Sequence, residues 1–439
     1  MGNEKSRYIE VMGSAEKWLW ASLVFGAGSK YIREIIYRYE SIDEAYEKLA
    51  LSSVNEAEEE IKMLGITSSQ MCRRIRTTPV SQCEMIEKYC TEKNISIISY
   101  DDENYPENLM NIDDPPAVLF CMGDVSVLQK QPAVSVVGTR KASEYSLKVT
   151  DVICRNLAED GFVIVSGFAN GIDSAAHNAA VKAGGKTIAV LGCGNDVEYP
   201  KGSIGRRNDI ISSGGLIVSE YLPGTAPIPA NFPKRNRILA ALGLGTFIIQ
   251  APSKSGSLIT AELALGMGKD IFCIPPTDIF DKSYEGVVKY LREGAIPVFS
   301  HLDIVNAYYY SYAHTLRADK IFSFYQKKEE NSDKREKNQN DDKKIKRKRV
   351  TEKQKTEKIP EEERTEEKSR EIADKDFSEY QDESQRKILQ FMQSEKKPVH
   401  ADEISEKTGL DPMEIMAALT ELEIFGAVSQ MSGNMYCLK

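Results

Sequence analysis

The sequence has no long apolar run, no apolar leader segment and no paired cysteine motif. Eight of its 439 residues are cysteine, and none belongs to a CxxC pair. Isolated cysteines within apolar stretches are typical of reduced core thiols, so we expect neither a disulfide framework nor a zinc site. No apolar stretch reaches about 18 residues, the length that a membrane-spanning helix needs. Since the first residues also lack a signal region, we expect a cytoplasmic protein without a membrane span.

The chain also lacks an excess of positive charge and the common nucleotide signatures. Its 57 Lys and Arg residues are outnumbered by 66 Asp and Glu residues, which gives a formal net charge of −9. This charge excludes a general coating by nucleic acid but permits a local basic site, because steering depends on the charge that lines a cleft. Neither the GxGxxG dinucleotide fingerprint nor the Walker P-loop is present. We therefore expect no cofactor and no metal.

Periodicity and composition divide the chain into four segments. Residues 1–90 have apolar residues at helical spacing and predict a helical domain of the helix-hairpin-helix or SAM-like type. Residues 91–315 alternate apolar strands with helices, which predicts an extended Rossmann-like α/β domain with a doubly wound, mostly parallel sheet. Residues 326–376 are highly charged and predict a disordered linker. Residues 380–439 predict three helices and a hairpin, the outline of a winged helix.

Two of these segments leave alternatives open. The stretch FGAGSKYIREII, residues 25–36, either holds a DNA phosphate through its backbone NH groups or is a plain helical turn capped by glycine. The third helix of the predicted winged helix carries Asp411, Glu414, Glu421 and Glu423. Because these carboxylates would repel phosphate, we expect the winged helix to bind protein or to pack on its neighbour.

Five loops follow the predicted parallel strands, at the carboxyl edge where ligands bind in open α/β sheets. In the first loop, VVGTRKASEY, Gly138 permits close approach of a ligand and Thr139 offers a hydroxyl. Arg140 in the same loop offers a planar fork for phosphate. Ser166 and Gly167 end the next strand and open the second loop, SGFANGIDSAAH.

The second loop leads into a helix whose N-terminus favours an anion. Gly171 forms a tight turn there, and Asp173 or Ser174 is expected to cap the helix. His177 lies one turn further on. For a single histidine of this kind, a structural hydrogen bond is expected rather than catalysis.

The remaining three loops supply cations, an aromatic residue and small residues. Their candidate binding residues are Lys201, Phe232, Lys234, Arg235, Asn236, Arg237 and Ser257. Phe232 either stacks on a base or packs beneath its own helix as a hydrophobic staple. The loops contain no nucleophile beside a base, no carboxylate pair and no set of metal ligands. We therefore predict that this edge binds single-stranded nucleic acid and does not transform it.

At these loops the chain resembles a known family. The motifs VVGTRKASEY, SGFANGIDSAAH, TIAVLGCGNDVEYP, SEYLPGTAPIPANFPKRNRILAALG and GSLITAELALGMGKDIFCIPP resemble, in order and spacing, the DprA/Smf family of bacterial DNA-processing proteins. The resemblance covers residues 100–300. It implies a Rossmann-like domain that binds single-stranded DNA and forms a homodimer. It also implies a RecA-type recombinase as partner, which such proteins load onto incoming DNA during natural transformation.

The resemblance also implies roles for individual residues. Arg140 would contact phosphate, Lys201 matches the basic position after the YP motif, and the FPxRNR segment contributes Phe232, Lys234, Arg235 and Arg237. The pocket would be lined by Ser166, Gly167 and Gly171. Two positions depart from the family pattern, Ser146 after Tyr145 and Ser203 after the YP motif.

Two other functions fit part of the pattern. Nucleoside monophosphate phosphoribohydrolases of the lysine-decarboxylase-like fold use a PGGxGTxxE loop. Here the comparable stretch is KSGSLITAE, which ends at Glu262 and lacks the double glycine. A duplex-binding regulator would instead bind DNA through the winged helix. The acidic third helix of that domain argues against this function.

Overall fold

The computed structural model describes residues 13–129, 131–312, 315–316, 382–395, 399–424, 427–431 and 435–438. The chain divides into two compact units, Met1–Asp341 and Asp342–Lys439. The segment 326–376, which the sequence predicts to be a disordered linker, lies outside the described residues.

Helices precede the first strand of unit one, as the apolar spacing predicts. They are α1 Ser14–Phe25, α2 Tyr31–Arg38, α3 Ile42–Tyr46, α4 Val54–Met63, α5 Ser69–Thr77 and α6 Val80–Glu92, with a π-helical turn at Glu47–Leu51. Ser41, Ser53 and Ser68 each accept a backbone N–H at a helix start, which satisfies one of the unpaired donors there. Trp20 and Leu49 lie in the core that these helices enclose.

Nine strands form one sheet in the order β1-β2-β6-β5-β4-β3-β7-β8-β9. Their bounds are β1 Ser96–Ser99, β2 Val118–Gly123, β3 Ala133–Val137, β4 Val163–Ser166, β5 Thr187–Leu191, β6 Leu216–Ser219, β7 Gly245–Ile248, β8 Asp270–Cys273 and β9 Ile296–Pro297. The pairings from β6 to β9 are parallel, whereas β1 and β2 join the edge in antiparallel pairings. The prediction of a mostly parallel α/β sheet is therefore confirmed.

Helices cover the sheet and bury its strands on both faces. They are α7 Glu107–Met110, α8 Glu144–Glu159, α9 Ile172–Lys182, α10 Ile204–Ser212, α11 Asn231–Leu242, α12 Ser257–Gly266, α13 Glu285–Arg292 and α14 His301–Tyr312. Val134, Ile164 and Phe247 are fully buried, which explains the continuous apolar runs of the central strands. β3 lies between β4 and β7, so the strand order reverses there and creates the crevice where α/β sheets bind ligands.

The described residues of unit two form three helices and a small sheet, as predicted for a winged helix. Its elements are α15 Glu383–Glu395, β10 Val399–His400, α16 Ala401–Thr408, α17 Pro412–Ile424, β11 Val428–Met431 and β12 Met435–Leu438, with sheet order β10-β12-β11. Glu421 of α17 accepts a hydrogen bond from Gln385 at 2.6 Å. Among the described helices of both units, none combines the length and apolarity needed to cross a membrane.

Candidate functional site

A cavity of about 340 Å³ lies at the carboxyl edge of the sheet, between the loops that follow β3 and β7. Its position is the reversal point of the strand order. The predicted binding residues that line it are Gly138, Thr139, Arg140, Phe232, Arg235, Asn236 and Ser257. Ala169 and Asp173 of the second loop also line it, so the structure brings the first, second, fourth and fifth predicted loops together around one space.

Three helices begin at this cavity. Asp173, Phe232 and Ser257, which all line it, lie in the first turns of α9, α11 and α12. In these three helices no side chain of the N-cap residue caps the N-terminus, and the positive ends of the helix dipoles favour an anion nearby. Several first-turn amides already donate within the protein, including Ile172 N to Thr139 O and Asn231 N to Ile228 O. The predicted cap on α9 is wrong. The cap position is Gly171, the Asp173 carboxylate accepts from Ala169 N at 3.2 Å, and Ser174 donates to Gly171 O.

Arg140 and Phe232 form the rim of the cavity. The exposed Arg140 guanidinium lies 5.7 Å from the centroid of the half-buried Phe232 ring. On its other side the ring contacts Tyr199, at a centroid distance of 5.2 Å, and packs over Gly192. The Arg235 guanidinium of its own helix lies 6.0 Å from the ring centroid, so the ring contacts both the neighbouring loop and α11. This position suits the stacking interpretation, in which a base would rest on the ring.

Arg235 forms the cationic floor of the cavity. Its Nη1 donates to Gly167 O at 2.8 Å and to Val190 O, while its buried Nε has no hydrogen-bond partner. A Cβ at Gly167 would lie 2.8 Å from both Arg235 Nη2 and Asp173 Oδ2, so only glycine fits there. Burial raises the pKa of Asp173, whereas Arg235 lowers it. The negative charge of Asp173, which lines the cavity, is therefore partly offset by the Arg235 guanidinium.

Ser166 and Gly171 shape the site without lining the cavity. The buried Ser166 hydroxyl donates to Val136 O at 2.7 Å and ties β4 to β3. Gly171 has a φ of +84°, and a Cβ there would clash with the carbonyl oxygen of Thr139. Both residues hold the Arg140 loop in place from below.

The predicted cations outside the cavity lining differ in exposure. Lys201 and Lys234 are exposed. Arg237 is only 4% exposed, and its guanidinium pairs with Glu220 Oε1 at 2.7 Å and with Asp114 Oδ1 at 2.9 Å. Burial tends to lower the pKa of Arg237, but these carboxylates raise it overall. The expectation that Arg237 faces DNA is thus corrected, because its charge is used within the protein.

The glycine turn of the helical domain is also used internally. Gly28 N donates to Glu220 Oε1 at 2.8 Å, the same oxygen that pairs with Arg237. This amide is therefore occupied by a protein carboxylate and does not point at a phosphate site. The observation favours the plain turn among the two interpretations of FGAGSKYIREII.

His177 makes a structural hydrogen bond, as the sequence predicts. Its Nδ1 lies 2.7 Å from Thr187 Oγ1, whose hydroxyl donates to Ile164 O at 2.6 Å. Because that hydroxyl proton is committed, we infer that His177 Nδ1 carries the ring proton and donates. Burial, with a smaller effect of Arg206 and Arg235, lowers the pKa of His177 to about 3. The ring is therefore neutral at physiological pH.

Among the lining residues that were not selected from the sequence, two carry a hydroxyl group. Thr260 is 1% exposed, lines the cavity and has a hydroxyl without a hydrogen-bond partner. It lies three residues after Ser257 on α12, and that spacing on one helix face is the signal that points to it. Ser255 lines the cavity and its hydroxyl lies 2.7 Å from that of Ser257. Among the described residues, no group of three or more His, Cys, Asp or Glu side chains could hold a metal ion.

Two family models match the chain in order. The model described as DNA recombination-mediator protein A matches residues 96–309, and the DprA winged helix domain matches residues 373–434. The chain is 45% identical over 204 residues to the DNA processing protein DprA of Streptococcus pneumoniae, which covers 46% of this chain and 71% of that protein. It is 38% identical over 213 residues to the DNA processing protein DprA of Bacillus subtilis, with coverages of 48% and 71%.

A solved structure shows the same fold. The X-ray structure of DprA from Streptococcus pneumoniae aligns with a TM-score of 0.57 at 33% sequence identity, and it covers 67% of this chain and 98% of that chain. Protein Smf of Synechocystis is 33% identical over 288 residues, which cover 64% of this chain and 70% of that protein. The shared motifs, the sheet order and these matches lead to one conclusion: the chain belongs to the DprA/Smf family.

Proposed function

We propose that this protein acts in DNA processing by binding single-stranded DNA without strong sequence preference, protecting it and loading a RecA-type recombinase onto it. One observation carries the proposal. Arg140 and Phe232 stand together at the rim of a cavity where three helices begin. Membership of the DprA/Smf family supports the same role.

The chemistry of the rim favours an unpaired strand. A small phosphate ligand has no need of an aromatic ring, whereas a single strand gains about 1–3 kcal/mol for each base that stacks on one. Stacking tolerates any sequence, because every base has a π-face. Arg140 would then bind a phosphate, and the positive ends of the three helix dipoles would favour the negative charge of the strand.

The enzyme alternative receives no support from the cavity. Glu262, which stands at the end of the comparable loop of lysine-decarboxylase-like enzymes, is exposed on α12 and is not among the residues that line the cavity. We therefore propose a DNA-binding protein and not an enzyme.

The partners belong to the same proposal. The name of the matched family, recombination-mediator protein, supports a recombinase as the recipient of the bound strand. Three large apolar side chains in the loops after β8 and β9, Ile279, Phe280 and Phe299, are 67%, 85% and 78% exposed. They support a homodimer that would cover them, since exposed apolar surface marks protein contacts. All eight cysteines are unpaired, which suits the reducing cytoplasm.

A gel shift with single-stranded and duplex DNA of one sequence tests the proposal. We expect preferential binding of the single strand. If three to five phosphates are neutralised, the logarithm of affinity falls with that of salt concentration at a slope of about −2 to −3.5. Arg140→Ala and Phe232→Ala should weaken binding to every sequence, while Lys141→Ala, an exposed neighbour, serves as the control. Equal affinity for duplex, or unchanged binding by the Arg140→Ala, Phe232→Ala double variant, would overturn the assignment.

A further inference from the structure

The helical domain packs against the helix that carries Phe232. Gly28 N donates to Glu220 Oε1 at 2.8 Å, and a Cβ at Gly28 would lie 3.6 Å from Lys234 Cδ on α11. The buried Arg237 of α11 pairs with the same Glu220. This arrangement fixes the start of α2 beside the exposed Lys234, two residues beyond Phe232.

The outward face of α2 carries two cations and an aromatic ring. Lys30, Arg33 and Tyr37 are spaced at i, i+3 and i+7, which places them on one side of the helix, while Ile32 and Ile35 are buried in the core. Tyr37 is 74% exposed. The Arg33 guanidinium lies 5.3 Å from the Tyr37 ring centroid and donates to its hydroxyl at 3.2 Å. The ring is therefore held beside a cation while most of it stays in solvent.

We propose that the outer face of α2, defined by Lys30, Arg33 and Tyr37, binds the part of the single strand that leaves the cavity past Lys234. The inference rests on the proposed function. Continuity supports this occupant, because Lys234 lies beside the Gly28 turn, which leads directly to Lys30.

Charge and chemistry support the same occupant. Two cations can follow phosphates, and an exposed ring beside them offers a stacking platform for a base. The nearest acid of the helix, Glu34, pairs with Arg38 at 3.4 Å, so its repulsion of phosphate is offset. The occupied Gly28 amide argues against the duplex-phosphate role of a helix-hairpin-helix turn and leaves the side chains of α2 as the binding groups.

Oligonucleotides of two lengths distinguish binding at the cavity from binding at the outer face of α2. Fluorescence anisotropy of the full chain with oligothymidines of about 4 and about 16 nucleotides measures both. We expect Tyr37→Ala to weaken binding of the longer strand by about tenfold, the loss of one stacked base, with no change for the shorter strand. Arg33→Gln should reduce the magnitude of the salt slope for the longer strand by about 0.7, the loss of one phosphate contact.

Matched variants complete the experiment. Tyr37→Phe keeps the ring and should bind as the parent does, and Arg73→Gln removes an exposed charge from α5 and should leave the salt slope unchanged. Losses of equal size on both strand lengths, or none on either, would overturn the inference. Failure of the proposed function would be visible separately, as unchanged affinity of the Arg140→Ala variant for the shorter strand.

Discussion

Replacing Arg237 distinguishes an internal role from a DNA contact. Its guanidinium pairs with the buried Glu220 at 2.7 Å, and both side chains are about 5% exposed. Arg237→Met leaves the Glu220 carboxylate buried and unpaired, with the Gly28 amide as its hydrogen-bond donor. Removing one partner of a buried pair costs about 3–5 kcal/mol. We therefore expect this variant to lose about 3–5 kcal/mol of its free energy of unfolding.

Urea unfolding followed by tyrosine and tryptophan fluorescence measures this loss. The double variant Glu220→Gln, Arg237→Met should recover much of it, because a neutral amide replaces the unpaired charge and still accepts the Gly28 hydrogen bond. Under folding conditions, Arg237→Met should keep the salt slope for single-stranded DNA, whereas Arg140→Ala should reduce its magnitude by about 0.7 and leave stability unchanged. An unchanged urea midpoint together with a reduced slope for Arg237→Met would refute the internal role.

Three further predictions concern the neighbourhood of the site. The pKa of His177 is about 3 when folded and near 6.5 otherwise. Its contribution to stability should therefore be complete above pH 6.5 and be lost as the pH falls toward 3, by about 1.4 kcal/mol per pH unit. The difference in urea midpoint between the parent and His177→Gln, measured against pH, should follow this loss. A difference that does not change with pH would contradict the prediction. Gly171→Ala should destabilise the protein and weaken DNA binding. Gly202→Ala, also at positive φ but in open space, should cost only about 1–2 kcal/mol of unfolding free energy. Equal losses for the two variants in thermal unfolding would argue against a clash between a side chain at position 171 and the Thr139 carbonyl oxygen. Phe280→Asp should convert a dimer to a monomer in sedimentation velocity, and an unchanged mass would show that another surface pairs.

The sheet could be predicted from the sequence because its central strands are buried on both faces. Continuous apolar runs such as Phe162 to Val165 indicate buried strands when helices separate them. The predicted strand ends were less accurate. The runs LIVSEY, residues 216–221, and TFIIQA, residues 246–251, predict strand throughout, but β6 ends at Ser219 and β7 at Ile248. Residues beyond these ends, including Glu220 and Ile249, are buried in loops, so burial alone could not mark the boundary.

The roles of the cations in NFPKRNR could not be predicted from the residue types alone. Lys234, Arg235 and Arg237 look equivalent in the sequence, yet the first is exposed, the second forms the cavity floor and the third is buried in an ion pair. What separates them is the fold, which brings Glu220 and Asp114 to Arg237 from other elements. Helical position separates Arg235 from Arg237 by about 200°, but only the neighbouring elements show which direction faces the cavity.

Ultraviolet cross-linking of the full chain to an oligothymidine, followed by mass spectrometry of the peptides, tests the central claim most directly. The account predicts cross-links at Phe232 and at peptides from the loop that contains Arg140, with loss of both in the Arg140→Ala, Phe232→Ala double variant. Cross-links confined to residues 380–439, or retained at full yield in the double variant, would contradict it.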